Sequence, residues 1–366
     1  LHESLQTDAR FLTVGYQWFL RDLVMEVSPG QLNIAEALLD MAEGGPVRTM
    51  AFLEEMDLPD EIPEPLQIFS LEYALLRDHR FDEVGPAGYA LWHLREMEPR
   101  EVLETPRHLQ YMPIPYNRGV LDDVMLTLEK RIDDEWSDVA FNLDEVEEPI
   151  TVVLSYPHWR SGTLPLASRV RKLFPTARIT DRIRFTFVDG QTGDEFPGWV
   201  VRSGRYVYGL EDWFEEKQLV VGSYVDLQHS DDPEKIIVEA RPLGSKRREW
   251  IRTVTVDNDR LAFEVRRAAI ACEYDELAAV IVPDPENIEE LASDKLRQLS
   301  LEALLKRVFD GLAGLSLQRA VHAWTLYSVT NLVRRVPPAP ILATLATSST
   351  YASLGDNYWA YRGESS

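Results

Sequence analysis

The stretch WVVRSGRYVYGLEDWFEEKQLVVGSYVDL, residues 199–227, sets the architecture. Trp199-Val200-Val201 and Tyr206-Val207-Tyr208 are short β-branched and aromatic runs parted by Ser203-Gly204, a turn pair. Trp213-Phe214 falls in a short helical turn, and Gly222-Ser223 leads into a new strand, Tyr224-Val225-Asp226-Leu227. Working outward, Thr151–Ser155 reads as a first strand, Ile183–Val188 runs into an Asp189-Gly190 turn, and Lys235–Glu239 closes the set. Many short strands with turn signals about every ten residues specify a sandwich or a barrel. Trp199, Trp213 and Phe214 are expected in its core.

The chain around this segment has 366 residues, 45% apolar and 27% charged, a soluble composition long enough for several domains. A single cysteine, Cys272, precludes an internal disulfide framework and suits a reducing, cytoplasmic setting. No apolar run approaches the roughly 18 residues that cross a bilayer. The first residues, Leu1-His2-Glu3, lack an initiator Met and do not read as a signal peptide, so an upstream portion is expected. The net charge of −23 opposes non-specific nucleic-acid binding. That charge is uneven: residues 158–250 hold 15 basic and 14 acidic side chains, and the excess acid lies outside them.

Further order is carried by Leu164-Pro165, Phe174-Pro175, the Asp189 to Gly193 turn, Trp199-x-Val201, Arg205-Tyr206 with Trp213-Phe214, and Leu219 with Gly222 and Val225. This succession resembles the plant B3 type of DNA-binding pseudobarrel over about 90 residues. Ser223 stands where that family commonly has Asp, and Thr192–Gly198 is a longer insertion. The resemblance implies two loop arms entering a major groove. By position these are the 158–163 connector, presenting His158, Arg160 and Thr163, and the central hairpin, presenting Arg202, Ser203 and Arg205. Arginine suits both guanine edges and phosphate because its planar fork donates twice. Arg169, Arg171 and Lys172 would hold the backbone. The alternative is that these cations dock against acidic faces of neighbouring segments of the same chain.

The flanks read as helical. Phe11–Val24 spaces its apolar residues by three and four, as a buried helix ended by Ser28-Pro29-Gly30. Helices follow at 32–41, about 47–57 and about 66–78, then a hairpin from Phe81 to Trp92. Leu75 to Phe81, with Val84-Gly85 to Leu91, makes residues 32–95 resemble the winged helices related to the RNA polymerase delta subunit. The C-terminus repeats the idea: helices at 322–333 and 341–346, then a hairpin in which Tyr351, Leu354, Gly355 and Trp359 align without a gap on Phe81, Val84, Gly85 and Tyr89. Residues 121–135 form an acidic helix and 143–149 an acidic linker. Strands are expected at 252–255, 261–265 and 277–282, and helix at 286–313.

The expected fold class is multi-domain α+β: a central B3-like β-barrel flanked by helical winged-helix-like domains. Its parts are an N-terminal helix at 1–31, a winged-helix-like domain at 32–110 and an acidic linker at 111–149. The barrel follows at 150–245, then a strand and helix connection at 246–313 and a second winged-helix-like segment at 314–366. In winged helices the helix before the wing reads DNA. Here 66–80 offers Arg77, His79 and Arg80 against Glu72 and Asp78, and 341–350 has no basic residue, which suits protein contact better.

No phosphate-binding or nucleophile-elbow motif is present, and no zinc spacing. Cys272 reads as a small buried residue and His322 as a structural one. Glu273, Asp275, Glu276 and Asp284 are the best acidic set, but the E/D-x-K strand of a metal nuclease is missing. Neither cofactor nor metal is expected. The leading expectation is a DNA-associated regulatory or accessory protein whose barrel contacts duplex DNA and whose winged helices recruit. A protein adaptor without DNA comes second and a metal nuclease third. No membrane partner is expected, and the oligomeric state is not legible.

Overall fold

The structure, a computed structural model, describes residues 8–59, 61–142 and 146–362, leaving aside the side chains of residues 245–247 and 294. Asp144 and Glu145 of the expected acidic linker, and the first seven residues of the expected N-terminal helix, lie outside the described residues. By contact the chain forms two compact units. The first comprises Leu1–Glu104, Pro175–Phe185 and Trp199–Ser203, and the second Thr105–Phe174, Thr186–Gly198 and Gly204–Ser366.

In the first unit the expected helix over 11–24 is instead a hairpin, β1 (Phe11–Val14) and β2 (Gln17–Leu20), paired from Phe11↔Leu20 to Val14↔Gln17. Val, Thr, Tyr, Phe and Trp favour a pleated surface. Gly15 takes φ +57° at the first loop position, where such a two-residue turn needs a positive angle. Ser28-Pro29-Gly30 proves a start, not a stop. Ser28 caps α1 (Pro29–Met41), accepting from the Gln31 N–H while the Gln31 side chain returns to the Ser28 N–H. Next come β3 (Val47–Arg48), α2 (Thr49–Glu54), α3 (Glu64–Leu75), β4 (Phe81–Glu83), β5 (Leu91–Leu94) and the short α4 (Arg100–Leu103). The three strands form a sheet in the order β3-β5-β4. Ala35, Leu39, Phe52, Leu71, Leu75, Phe81 and Trp92 are buried together beneath it.

The second unit opens with α5 (Asp123–Ile132), capped by Asp122 and ended by Asp133 at φ +48°. Then come β6 (Ile150–Val153), α6 (Tyr156–Arg160), β7 (Thr163–Pro165), β8 (Arg182–Asp189), β9 (Glu195–Val201), β10 (Tyr206–Tyr208), α7 (Glu211–Glu216), β11 (Tyr224–His229) and β12 (Lys235–Ala240), with Arg182–Phe185 of β8 and Trp199–Val201 of β9 counted in the first unit. They build one nearly closed seven-stranded sheet in the order β6-β11-β12-β8-β9-β10-β7. β12 runs parallel to β8, and β11 lies antiparallel to both β6 and β12. Alternation fills its inside with Phe187, Val225, Leu227, Ile236 and Val238, and Trp213 and Phe214 are buried as expected.

Beyond the barrel lies a long ribbon, β13 (Pro242–Asp257) with β14 (Arg260–Cys272). Only the half beside its turn was expected, because Arg247, Arg248, Arg266 and Arg267 interrupt the apolar alternation of the other half. The chain ends with α8 (Pro285–Leu291), α9 (Leu301–Ala313), β15 (Val321–His322), α10 (Ala323–Val333), α11 (Pro338–Thr347), β16 (Tyr351–Gly355) and β17 (Tyr358–Tyr361). Its last sheet has the order β15-β17-β16.

Helix, short strand, two helices and a hairpin thus occur twice, each time with the final strand between the other two. The gapless alignment is corrected at its far end. Trp92 pairs with Val47 and Glu83, and Trp359 with Val321 and Ser353, so the counterpart of Trp359 is Trp92 and not Tyr89. The second hairpin is shorter, and the gap falls in its loop. No described helix is long and apolar enough to cross a membrane.

Candidate functional site

Where α5 ends, the left-handed turn at Asp133 drives Asp134 and Glu135 inward, with Trp136 half-buried beside them. Four of the nominated residues converge on this turn. Asp133 accepts from the Ser168 and Arg169 N–H groups and from Arg169 Nε at 2.9 Å. Glu135 Oε2 lies 3.3 Å from His158 Nε2, and His158 Nδ1 is 2.8 Å from Thr163 Oγ1. Arg205 donates to the Glu135 carbonyl at 3.0 Å and lies 4.4 Å over the Trp136 ring. From the other side Arg335 Nη2 reaches both Asp134 and Glu135 at 2.6 Å, and Tyr327 donates to Asp134 at 2.7 Å.

Both carboxyls are fully buried and share one guanidinium, so their titrations part. Desolvation pushes Asp134 up. It opposes ionisation of Glu135 too, but Arg335 and His158 outweigh it and hold that group at about 2. The fixed carboxylate satisfies two basic side chains from the barrel and from α10's C-terminal edge at once.

These contacts engage the expected arm. His158 and Thr163 are 1% and 0% exposed. Arg160 is spent on Glu289 at 2.7 Å and Glu286 at 3.0 Å, on and beside the first turns of α8. Arg202 and Ser203, in the first unit, are tied down locally: Arg202 donates to the Pro175 carbonyl at 2.6 Å, and the Ser203 N–H to Asp181 at 3.1 Å. Arg171 and Lys172 remain exposed, and Arg171 has no side-chain partner among the described residues.

The helices ahead of the two hairpins are similarly occupied. Beyond the end of α3, Arg77 donates to Tyr73 Oη at 3.1 Å, and Arg80 is gripped by Asp78 and Glu36. α11 carries no charge, and Ile341, Leu342, Ala343 and Leu345 are buried in the second unit's core. Arg334, just before it, donates to the Leu299 carbonyl at 2.7 Å.

The acidic set does structural work. Asp275 accepts from the Leu277 and Ala278 N–H groups and pairs with Arg131 at 2.8 Å. Asp284 caps α8. Among the described residues no group of three or more His, Cys, Asp or Glu side chains is placed to hold a metal ion. Cys272 is buried with its thiol pushed up by desolvation. His322 caps α10 by accepting from the Trp324 N–H at 3.1 Å, and burial lowers it to about 4.

The stretch 121–135, expected as one acidic helix, breaks at Asp133. The available signal was three consecutive acids before Trp136, at the end of an amphipathic run. No family model, curated protein or solved structure matches the chain.

Proposed function

We propose that this chain is a non-catalytic adaptor that assembles protein partners, built from a B3-like barrel and two winged-helix-like modules. The observation that carries the reading is that the groove-entering parts of these module types are engaged inside the chain itself. The barrel arm is seated on Asp133–Trp136 and on Glu286 and Glu289. One hairpin-proximal helix is buried, and the other ends in paired cations. The order β6-β11-β12-β8-β9-β10-β7 and the twice-repeated helix–strand–helix–helix–hairpin order support the module assignments. Function does not follow from fold, so the reading rests on the charge pairing. A cytoplasmic setting agrees with the single buried cysteine.

A DNA-accessory role is the second reading, favoured by the exposed Arg171 and Lys172. The two part on one experiment. Tagged protein is captured from extract with and without nuclease, and duplex mobility is measured at low salt with wild type and with Arg171→Ala/Lys172→Ala. An adaptor keeps a stoichiometric partner after nuclease and leaves duplex unshifted. Loss of every partner on nuclease treatment, with a salt-sensitive duplex shift that the double variant abolishes, would sink it.

A further inference from the structure

The ribbon has two unlike faces. Ile251, Ile270 and Ala268 pack inward with Ala279. On the opposite face Trp250 sits across from Arg267 and Arg252 across from Val265, and Arg248 and Ala269 continue the row. Trp250 is 68% exposed and Val265 44%, and the Arg267 guanidinium lies 6.0 Å over the indole. Arg248 is exposed with no side-chain partner among the described residues. Residues 246–252 and 264–267 hold six basic and two acidic side chains in a chain of net charge −23. Beside Trp250 opens a cleft of about 480 Å³, bounded by Arg252, Val265, Leu315, His322 and Tyr358. Glu249 and Glu276 also line it.

A tryptophan left this open, flanked by arginines and next to a cleft, is the residue set that dominates protein interfaces. We infer that this face docks a short acidic segment of another protein, with one bulky apolar side chain anchored in the cleft beside Trp250 and carboxylates on Arg248 and Arg267. This deepens the adaptor reading and rests on it. Charge complementarity selects an acidic occupant, and extent selects a short one. From Arg248 to Arg252 is four residues, roughly 13 Å at the rise of a strand. That accommodates a few peptide residues, whereas a nucleic-acid strand would continue past Glu249 and Glu276 over an acidic protein.

The test is fluorescence anisotropy with a labelled peptide in which a central Phe is flanked on both sides by alternating Glu and Asp. Its controls replace the acids by Lys, or Phe by Gly, and a labelled oligo-dT strand tests nucleic acid. The acidic Phe peptide is expected to bind saturably, weaken with salt, and lose about tenfold in affinity with Trp250→Ala and with Arg248→Ala/Arg267→Ala. Arg171→Ala is expected to leave it unchanged. Absence of saturable binding, binding indifferent to these variants, or tighter oligo-dT binding that the same variants abolish would each overturn the inference. If the triple variant Arg248→Ala/Trp250→Ala/Arg267→Ala still captures a nuclease-resistant partner as wild type does, this face fails and the adaptor reading survives. If wild type captures none, the adaptor reading itself fails.

Discussion

Arg335 and Glu135 lie 200 residues apart in sequence and are joined twice, Nε and Nη2 donating to the same Oε1 at 3.2 and 2.6 Å. Removing the cation would leave two buried carboxyls facing each other. Arg335→Met is therefore expected to cost about 3–5 kcal/mol, read as a shift of the urea midpoint. A loss below about 1 kcal/mol would show that this cluster does not clamp the second unit.

The two equivalent tryptophans differ in one hydrogen bond. Trp92 Nε1 donates to Thr49 Oγ1 at 2.9 Å, which donates onward to Glu72 at 3.0 Å. Trp359 Nε1 is buried without an acceptor among the described residues. Trp92→Phe is expected to cost roughly 1–3 kcal/mol more than Trp359→Phe. Equal costs in denaturant titrations would remove the distinction.

Two buried carboxyls make the first unit sensitive to alkali. Burial raises Glu83 to about 7 against the Gly85 N–H. Burial raises Glu98 to about 8, with Arg182 opposing and Asp82 assisting. Both stay protonated in the folded unit above 4.5, where the unfolded chain has ionised. Their contribution is thus complete below 4.5 and is lost as pH climbs through 7 and 8. Stability measured across that range is expected to fall, and Glu98→Gln to flatten the upper part. A rise with pH in wild type would mean that both are ionised inside the fold.

Gly162 links α6 to β7 at φ +60°, and a Cβ there would stand 2.7 Å from Glu211 Cβ. Gly162→Ala is expected to lose roughly 2 kcal/mol or more from the left-handed strain and the clash. Arg171→Ala, on open surface, should stay within about 0.5 kcal/mol. Thermal melts of the two variants side by side provide the check.

Much of the strand succession was legible because the runs holding Trp199, Tyr206 and Val225 are parted by turn residues, and local periodicity is what a strand records. Phe11–Val24 misled because a run this short fits periods of two and of three to four alike, and only Gly15 separates them. The ribbon half away from its turn was hidden since Arg and Glu on an exposed face carry no apolar rhythm. Of the nominated residues, His158, Arg169 and Arg205 contact the Asp133–Trp136 turn with Thr163 behind His158, whereas Arg160 pairs with Glu286 and Glu289. What they meet could not be read, because Asp133–Glu135 and Arg335 are brought to them only by tertiary folding.

The turn at Asp133–Trp136 behaves as a ligand the protein carries for itself. Being on the same chain, it rebinds at an effective concentration of about millimolar or more. An outside anion would have to displace the turn to reach these side chains, and its apparent affinity would fall by the fraction of time that the turn is lifted. If a few kcal/mol hold the turn down, that fraction is on the order of one in a hundred to one in a thousand.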